Sequence, residues 1–500
     1  MTITKFLRSI ILVAMGATCI LMSPMYASGK SVLVDHSHGQ TAGSADWVID
    51  GAFSDYADAM TNSGYAVKHI DGVQGINEET LSNTQTLIIP EANIPMKTAE
   101  QNAMINFVQN GGSVLFIADH YNADRNLNRL DSSEIFNGYR RGAYGDMTIG
   151  MTDKEKQSDM MQGVASSDWL SINFGVRFRY NAIGNITTDN IVDSREALGI
   201  TKGVHSVAMH AGSTLAITDP QKAKGIIYLP QLNANQKWNN AVDEGIYNGG
   251  GKAEGAYVAI SKVGKGKAAF IGDSSMVEDS TPKYKREDSG ADKKTYDGFK
   301  EADHQTLLMN LTQWLSQQEN YTSFDTKGVT LDQPTPLKDN ETPAQSIEPQ
   351  KEPWSKPQEG YLWYDRSTFA AGSYGAKASK PSNTTNATSQ KYYFVLPEVI
   401  QSDLPFQIRI QTKSNIPHST AENLKVGIYT KDGQQVGQIS NQSISDIPFG
   451  YSTPFSIQTN DTGFGEKTLN VNIKKGVSGK AFIRLKKNDK TIQTEPITIE

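Results

Sequence analysis

The chain predicts an α/β domain with a parallel sheet and a long insertion, followed by an all-β domain of immunoglobulin-like type. Three observations predict this. Up to about residue 320, short runs of β-forming apolar residues alternate with stretches of helical period; after Trp314 the chain turns polar and proline-rich; beyond that, apolar and polar residues alternate with a period of two. A chain of 500 residues also exceeds what one core usually organises.

The first strand is Ser31-Val32-Leu33-Val34, and a helix is expected over residues 47–61, where Trp47, Val48, Phe53, Tyr56, Ala57 and Met60 recur close to helical spacing. Residues 65–70 form a second strand after the Asn62-Ser63-Gly64 turn, and residues 86–90 a third. A helix follows over residues 98–110, with Thr98 as its cap and Gly111-Gly112 as its left-handed stop. Residues 113–118 are the fourth strand, residues 132–265 the insertion, and residues 267–271 the last clear strand of the domain. A terminal helix begins at Asp303-His304 and carries Leu307, Leu308, Leu311, Trp314 and Leu315. Such spacings make βαβ units, whose right-handed crossovers build a parallel sheet with helices on both faces.

The domains expected are a signal peptide at 1–27, the α/β domain at 29–320, a Pro/Ser/Thr-rich linker at 321–390 and a β-sandwich at 391–500. The signal peptide is read from Lys5 and Arg8 before an apolar stretch at 10–22 and the small-residue pattern Tyr26-Ala27-Ser28. The single cysteine, Cys19, lies inside that stretch, so the mature chain is expected to hold no thiol or disulfide; Gly16-Ala17-Thr18 matches poorly the residues that precede a lipid-bearing cysteine. No later stretch reaches the roughly 20 apolar residues that span a bilayer. The protein is therefore expected to be secreted, or held in the cell envelope or periplasm. In the sandwich, residues 406–410, 424–428 and 469–473 alternate, and Lys431-Asp432-Gly433 and Lys487-Asn488-Asp489-Lys490 supply hairpin turns. Such appendages present or bind, with a cell-surface glycan as one partner.

Three motifs follow directly on strands: Asp35-His36-Ser37-His38, Asp119-His120-Tyr121-Asn122-Ala123-Asp124-Arg125 and Gly272-Asp273-Ser274-Ser275. Strands of an open α/β sheet place ligands beyond their carboxyl ends, so the three motifs are expected on one edge. His36 and His38 form a two-imidazole arrangement suited to a metal, with Asp35 as the carboxylate that orients an imidazole. Asp119, His120 and Asp124 add ligands; carboxylates suit Mg²⁺, Mn²⁺ or Ca²⁺, and imidazoles move the preference toward Zn²⁺ or Mn²⁺. Asn122, Arg125, Asn126 and Arg129 suit an anionic group, the two arginines being four apart. Asp303-His304 opens a helix, where anions are favoured, and His304 is the leading general acid or base. Asp273 is a further cation ligand or acid, and Ser274 or Ser275 with His304 contains the residue types of a hydrolase triad, although no Gly-x-Ser-x-Gly elbow accompanies them. In the insertion, Arg140, Arg141, Arg177 and Arg179 interleave with aromatics as a polymer-contacting surface would, or as an edge strand would. His205 and His210 lie in the same insertion.

The order Val-Leu-Val-Asp-His-Ser-His-Gly, Leu-Ile-Ile-Pro-Glu, Ala-Met-Ile-Asn-Phe-Val-Gln-Asn-Gly-Gly-Ser-Val-Leu-Phe and Gly-Lys-Gly-Lys-Ala-Ala-Phe-Ile-Gly-Asp-Ser resembles the class I glutamine-amidotransferase-like superfamily. It is most similar to the exported branch related to gliding-motility, transporter-associated and trehalose-utilisation-type domains. The resemblance covers roughly residues 30–315 and implies a flavodoxin-like fold. Amidotransferases of this type use a cysteine at a strand-to-helix elbow, which the expected mature chain lacks, and several relatives bind ligands without catalysis.

The formal net charge of −6 gives no broad attraction to nucleic acid, so any such contact is local. The function expected from these residues is an exported hydrolase of a phosphate-containing substrate, dependent on a divalent metal (Zn, Mn, Mg or Ca), with nucleic acid the leading substrate and other phosphoesters behind it. The alternative is a non-catalytic secreted binding protein that uses the same edge for nucleic acid or carbohydrate.

Overall fold

The structure is a computed structural model that describes residues 30–42, 45–70, 75–121, 127–240, 245–280, 283–347, 358–376, 390–397, 399–402, 404–414, 417–442 and 447–500. The chain divides into two compact units, Met1–Ser379 and Lys380–Glu500. The expected signal peptide lies outside the described residues. No helix among the described residues is long and apolar enough to cross a membrane.

The first unit is built on a nine-stranded mixed sheet. Its strands are β1 (Ser31–Asp35), β2 (Ala66–Ile70), β3 (Thr86–Ile89), β4 (Ser113–Ile117), β5 (Val176–Phe178), β6 (Leu215–Ile217), β7 (Ala223–Tyr228), β8 (Ala256–Val263) and β9 (Gly266–Ile271), in the order β2-β1-β3-β4-β9-β8-β6-β5, with β7 also paired to β8. The first five of that order are parallel. The pairs β9-β8, β8-β6, β8-β7 and β6-β5 are antiparallel. The expected all-parallel sheet is thus corrected to a mixed one. The insertion does not merely interrupt the sheet; it extends it, and β8 returns into β9 through the two-residue turn Gly264-Lys265, where Gly264 takes φ +57°.

The alternation of buried side chains shows how the sheet is covered. Val32, Val34, Ile88, Leu115, Ile117, Ala269 and Ile271 join one core with α1 (Ser54–Asn62) and the terminal helix. Leu33, Leu87, Ile89, Val114, Phe116, Ala268 and Phe270 join the other with α2 (Thr98–Gln109), α3 (Ser132–Asn137) and α4 (Trp169–Phe174). The terminal helix, α5, spans His304–Ser316 and meets α1 through Tyr56 Oη and Thr312 Oγ1 at 2.7 Å. Strands buried on both faces read as continuous apolar runs, which is why β3 and β4 were legible. At the edge, β2 exposes Lys68 and His69.

Helix α1 begins seven residues later than its apolar spacing suggests. The chain turns first, with Ala52 N donating to Asp46 O at 2.9 Å, and the turn suits glycine at 51, where a Cβ would come within 2.7 Å of the Asp46 carbonyl. One amide and one hydroxyl of the first turn are then met by Asp279, whose Oδ2 accepts Ser54 Oγ at 2.7 Å and Asp55 N at 2.9 Å. Helix α2 starts at Thr98 as expected, but its cap is Lys97 rather than Thr98, and Glu100 reaches back to the Lys97 amide at 2.9 Å; Gly111, at φ +113°, follows its end as expected.

The expected linker is in part folded onto the first unit. Phe324, Trp363 and Phe369 are buried, and Trp363 Nε1 donates to Glu155 Oε1 at 2.8 Å. Residues 348–357 and 377–389 lie outside the described residues.

The second unit is all antiparallel in its paired strands. Strands β10 (Gln390–Val395), β11 (Phe406–Ser414), β12 (Thr420–Thr430), β13 (Gly437–Ser440), β14 (Phe455–Gln458), β15 (Phe464–Ile473), β16 (Gly479–Lys487) and β17 (Lys490–Ile499) form two four-stranded sheets, β10-β11-β15-β13 and β14-β12-β16-β17. Ile408 and Ile410 of one sheet and Val426, Ile428, Ile483 and Leu485 of the other belong to a single core. Asn488 and Asp489 turn β16 into β17 with positive φ at both residues, as a right-twisted hairpin requires.

Candidate functional site at the carboxyl edge of the sheet

The parallel strands β1, β4 and β9 each end in one of the polar motifs, so all three motifs lie on the same edge. They are not equally close. β4 and β9 are neighbours, with Ile117 opposite Ile271, so Asp119 and Asp273 emerge side by side; β3 separates them from β1.

The β1 motif is closed on itself. His38 Nδ1 pairs with Asp35 Oδ2 at 2.7 Å and His38 Nε2 with Glu100 Oε2 at 3.2 Å. Asp35 also accepts Ser37 N at 2.9 Å and Gln40 Nε2 at 2.8 Å, while Glu100 accepts Ile76 N at 3.1 Å. Burial alone would lower the His38 pKa, but the two carboxylates outweigh it and hold the imidazole well above its usual range. Burial likewise opposes ionisation of Asp35 and Glu100, and the His38 charge with the hydrogen bonds keeps both below their ordinary values. A cavity of about 500 Å³ adjoins this triad, with Ser37, His38, Asn77, Lys97 and Glu100 in its wall. His36 turns the other way. It stacks on His69 with centroids 4.6 Å apart, its Nε2 accepts Ile49 N at 3.2 Å, and its Nδ1 meets Tyr374 Oη at 3.2 Å. The expected two-imidazole pair is therefore corrected: past the end of β1 the strand alternation no longer holds, the two rings diverge, and all four ring nitrogens meet protein atoms.

The β4 and β9 motifs differ. His120 is 7% exposed, stacks on Trp238 with centroids 3.8 Å apart, and is pushed down to about 4 by burial, so it stays neutral at ordinary pH. Its Nδ1 is buried and has no hydrogen-bond partner. Asp119 is half-buried, and its Oδ1 turns back to the His120 amide at 2.7 Å.

Asp273 is fully buried. It accepts His210 N at 2.6 Å and Ser275 N at 2.8 Å, and burial raises it to about 6 against the pull of those amides. Its role is to hold the turn after β9 and the main chain of His210. Ser274 is also fully buried and donates to Glu278 Oε1 at 3.1 Å, so a nucleophilic role is corrected to a structural one. Glu278, which also accepts Trp47 Nε1 at 2.8 Å, is raised to about 7, first by burial and then by the charge of Asp273.

His210 lies over this turn. Its Nε2 meets Glu301 Oε2 at 2.6 Å, its ring stacks on Tyr296 with centroids 4.2 Å apart and planes 9° off parallel, and its Nδ1 is buried without a hydrogen-bond partner. Asp119, Asp273 and Glu301 all act on the hydroxyls of Tyr257 and Tyr296, whose pKa values are raised first by burial and then by these charges. Three carboxylates, an imidazole and an exposed tyrosine thus gather at one place.

His304 does not join them as an acid or base. It is fully buried at the start of α5, its Nε2 accepts Ala208 N at 2.7 Å, its Nδ1 donates to Gly298 O at 2.7 Å, and burial lowers its pKa. Both nitrogens are spent on main chain. Asp303 beside it accepts His205 N at 2.7 Å and Ser206 N at 3.1 Å.

The arginines expected on a polymer surface serve internal contacts instead. Arg179 is buried in a two-pronged pair with Glu341, Nε to Oε1 at 2.7 Å and Nη2 to Oε2 at 3.0 Å. Arg177 Nε meets Asp168 Oδ1 at 3.1 Å, and Arg129 Nε meets Glu155 Oε1 at 2.7 Å. Arg141 is buried, donating to Tyr180 O and Ile347 O, and Arg140 donates to Ile149 O. Aromatic interleaving reflects a core here: Tyr121, Tyr139 and Tyr180 form a buried cluster beneath Arg141. Asn122, Asp124, Arg125 and Asn126 lie outside the described residues. Among the described residues, no three His, Cys, Asp or Glu side chains close around a single point as a metal cage.

Glu100, Glu278, Glu301 and Tyr296 escape sequence reasoning, and His210 is named there only as a residue of the insertion within reach of the site. Glu301 precedes the flagged Asp303-His304 by two residues and His210 sits in the insertion, so only the tertiary fold brings them together.

No family model and no curated protein matches the chain. Solved structures give low similarity. The mmIFT52 N-terminal domain is 12% identical with a TM-score of 0.35, covering 58% of this chain and 99% of that one. The CARDB domain of the PF1109 protein from Pyrococcus furiosus, in complex with di-metal ions, is 9% identical with a TM-score of 0.16, covering 23% and 97%. A putative lipoprotein from Bacillus anthracis is 16% identical with a TM-score of 0.16, covering 22% and 73%. These likenesses do not point to the amidotransferase-like family.

Proposed function

We propose that the chain is an exported hydrolase of a phosphate-containing substrate, acting at the edge after β4 and β9 with a divalent cation. The observation that carries the reading is His120: a buried, neutral imidazole whose Nδ1 has no partner, next to the half-buried carboxylate of Asp119. A buried polar nitrogen without a partner costs free energy and in native proteins usually marks water, an ion or a substrate group. Asp119 and His120 would hold the cation, with Asp124 or the substrate's own oxygens completing its shell. The cation would lower the pKa of bound water and screen the negative edge. That screening is needed, because Asp119, Asp273 and Glu301 would otherwise repel an anion and the arginines named above are engaged elsewhere. Phosphate recognition then falls on the cation and on Asn122, Arg125 and Asn126. Nucleic acid is the leading substrate.

The finer fold assignments belong to the same proposal. The order β2-β1-β3-β4-β9 supports a flavodoxin-like parallel core, consistent with an amidotransferase-like ancestry without the cysteine. The two-sheet second unit supports an immunoglobulin-like module with a glycan as candidate ligand.

The test is cation uptake and turnover on the purified chain. Mn²⁺ and Zn²⁺ binding are measured by calorimetry, and hydrolysis of bis(p-nitrophenyl) phosphate and single-stranded DNA is followed with and without EDTA. Stoichiometric cation and EDTA-sensitive turnover are expected. DNA or glycan bound without turnover, and unaffected by chelator, would instead select the binding-protein reading.

A further inference from the structure

We infer that His210 is the general base of this edge and that Glu301 is its positioning residue. The inference rests on the hydrolase reading and adds to it the atom that receives the proton. An ionised carboxylate only accepts hydrogen bonds, so the 2.6 Å contact with Glu301 Oε2 places the imidazole proton on Nε2. A neutral imidazole has one N–H, which leaves the lone pair on Nδ1. That nitrogen is buried and meets no donor. The residue is held at ring and main chain: Tyr296 stacks on the ring at 4.2 Å, Asp273 accepts its main-chain amide at 2.6 Å, and Ser275 Oγ donates to its carbonyl at 3.3 Å. His304, close by, has the opposite tautomer, with its Nε2 lone pair consumed by the Ala208 amide. Of these two imidazoles only His210 keeps a basic nitrogen in reserve.

The step balances without an outside reagent. Nδ1 takes a proton from water as the water oxygen forms a bond to phosphorus; the phosphorus bond to the leaving oxygen breaks, and its electron pair stays on that oxygen. The imidazolium so formed is stabilised by Glu301, and its proton then passes to the leaving oxygen or to solvent. The charged and titratable groups that meet His210 are Glu301, Asp273, Tyr296 and His304, and Asp119, Glu278 and Tyr257 act in turn on Asp273 or the tyrosines.

The test uses the full chain with Mn²⁺ and bis(p-nitrophenyl) phosphate. His210→Ala is expected to lower kcat/KM by about 10²–10⁴-fold, to abolish the acidic limb of the pH profile, and to regain rate on addition of free imidazole. Glu301→Gln is expected to cost about 10–100-fold in kcat with KM little changed, since the ring loses the charged partner that fixes its tautomer. Long-range proton–nitrogen spectra of the wild type should show His210 protonated on Nε2 and bare on Nδ1. A proton on Nδ1, or a folded His210→Ala variant that keeps both rate and acidic limb, overturns the inference while leaving the hydrolase reading intact. A wild type without turnover removes both.

Discussion

Two pairs of histidines occupy the same edge of one sheet and meet opposite fates. At the end of β1, His36 and His38 spend every ring nitrogen on protein partners, and His38 is locked between Asp35 and Glu100. At the end of β4 and in the insertion, His120 and His210 each keep one buried nitrogen without a partner. A histidine at a strand end is thus informative only once its second nitrogen is accounted for. The β1 motif is read as a structural clasp between the strand end and the start of α2, and the β4 and β9 edge as the place where chemistry is available.

Four experiments test that contrast. The largest effect on stability is expected from His38→Ala, which leaves Asp35 fully buried without its counter-charge; a loss of about 3–5 kcal/mol in denaturant unfolding is predicted, with turnover per folded molecule unchanged. If activity vanished while stability held, the clasp would instead be catalytic. Next, saturating Mn²⁺ at about 100 times its Kd should stabilise the first unit by about 2.7 kcal/mol, and EDTA should remove that gain; a melting temperature indifferent to cation would contradict a site at Asp119 and His120. Arg179→Lys, which gives up the two-pronged pair with Glu341, should cost about 1.5–3 kcal/mol and leave DNA affinity unchanged. Weakened DNA binding by a folded variant would return this arginine to a polymer surface.

The smallest effect is a pH window. His38 is raised in the folded state, so its contribution is complete below its unfolded value of 6.5 and is lost as pH rises through the folded one. Asp35 and Glu100 are lowered, so theirs is complete above their unfolded values of 3.8 and 4.5 and is lost as pH falls through the folded ones. The clasp is therefore fully formed between about pH 4.5 and 6.5 and weakens on both sides. Unfolding free energies measured from below that window to above it, for wild type and His38→Gln, should differ in shape; curves that stay parallel on both flanks would deny the clasp its charge.

Much of this fold is legible in the sequence because its central strands are buried on both faces and read as plain apolar runs, as in β3 and β4. The antiparallel extension was not legible. Strand β6 is three residues long, too short for alternation to declare itself, whereas β5 takes the outer place in the sheet that its edge-strand reading allowed. Arg177 and Arg179 misled for a related reason: arginine between aromatics has the same spelling on a solvent face as in a buried clamp, and the partners Asp168 and Glu341 cannot be paired with them by spacing. The site was half legible. Asp119 and His120 stand out after an apolar run, whereas His210 and Glu301 meet only because β9 carries Asp273 beneath the insertion.

The most direct measurement is Mn²⁺ binding by calorimetry to the wild type, His120→Ala and His36→Ala side by side. The account predicts that His120→Ala loses the site and that His36→Ala, once shown to be folded, binds as the wild type does. Retained binding in His120→Ala with loss in His36→Ala would contradict it and move the working site to the end of β1.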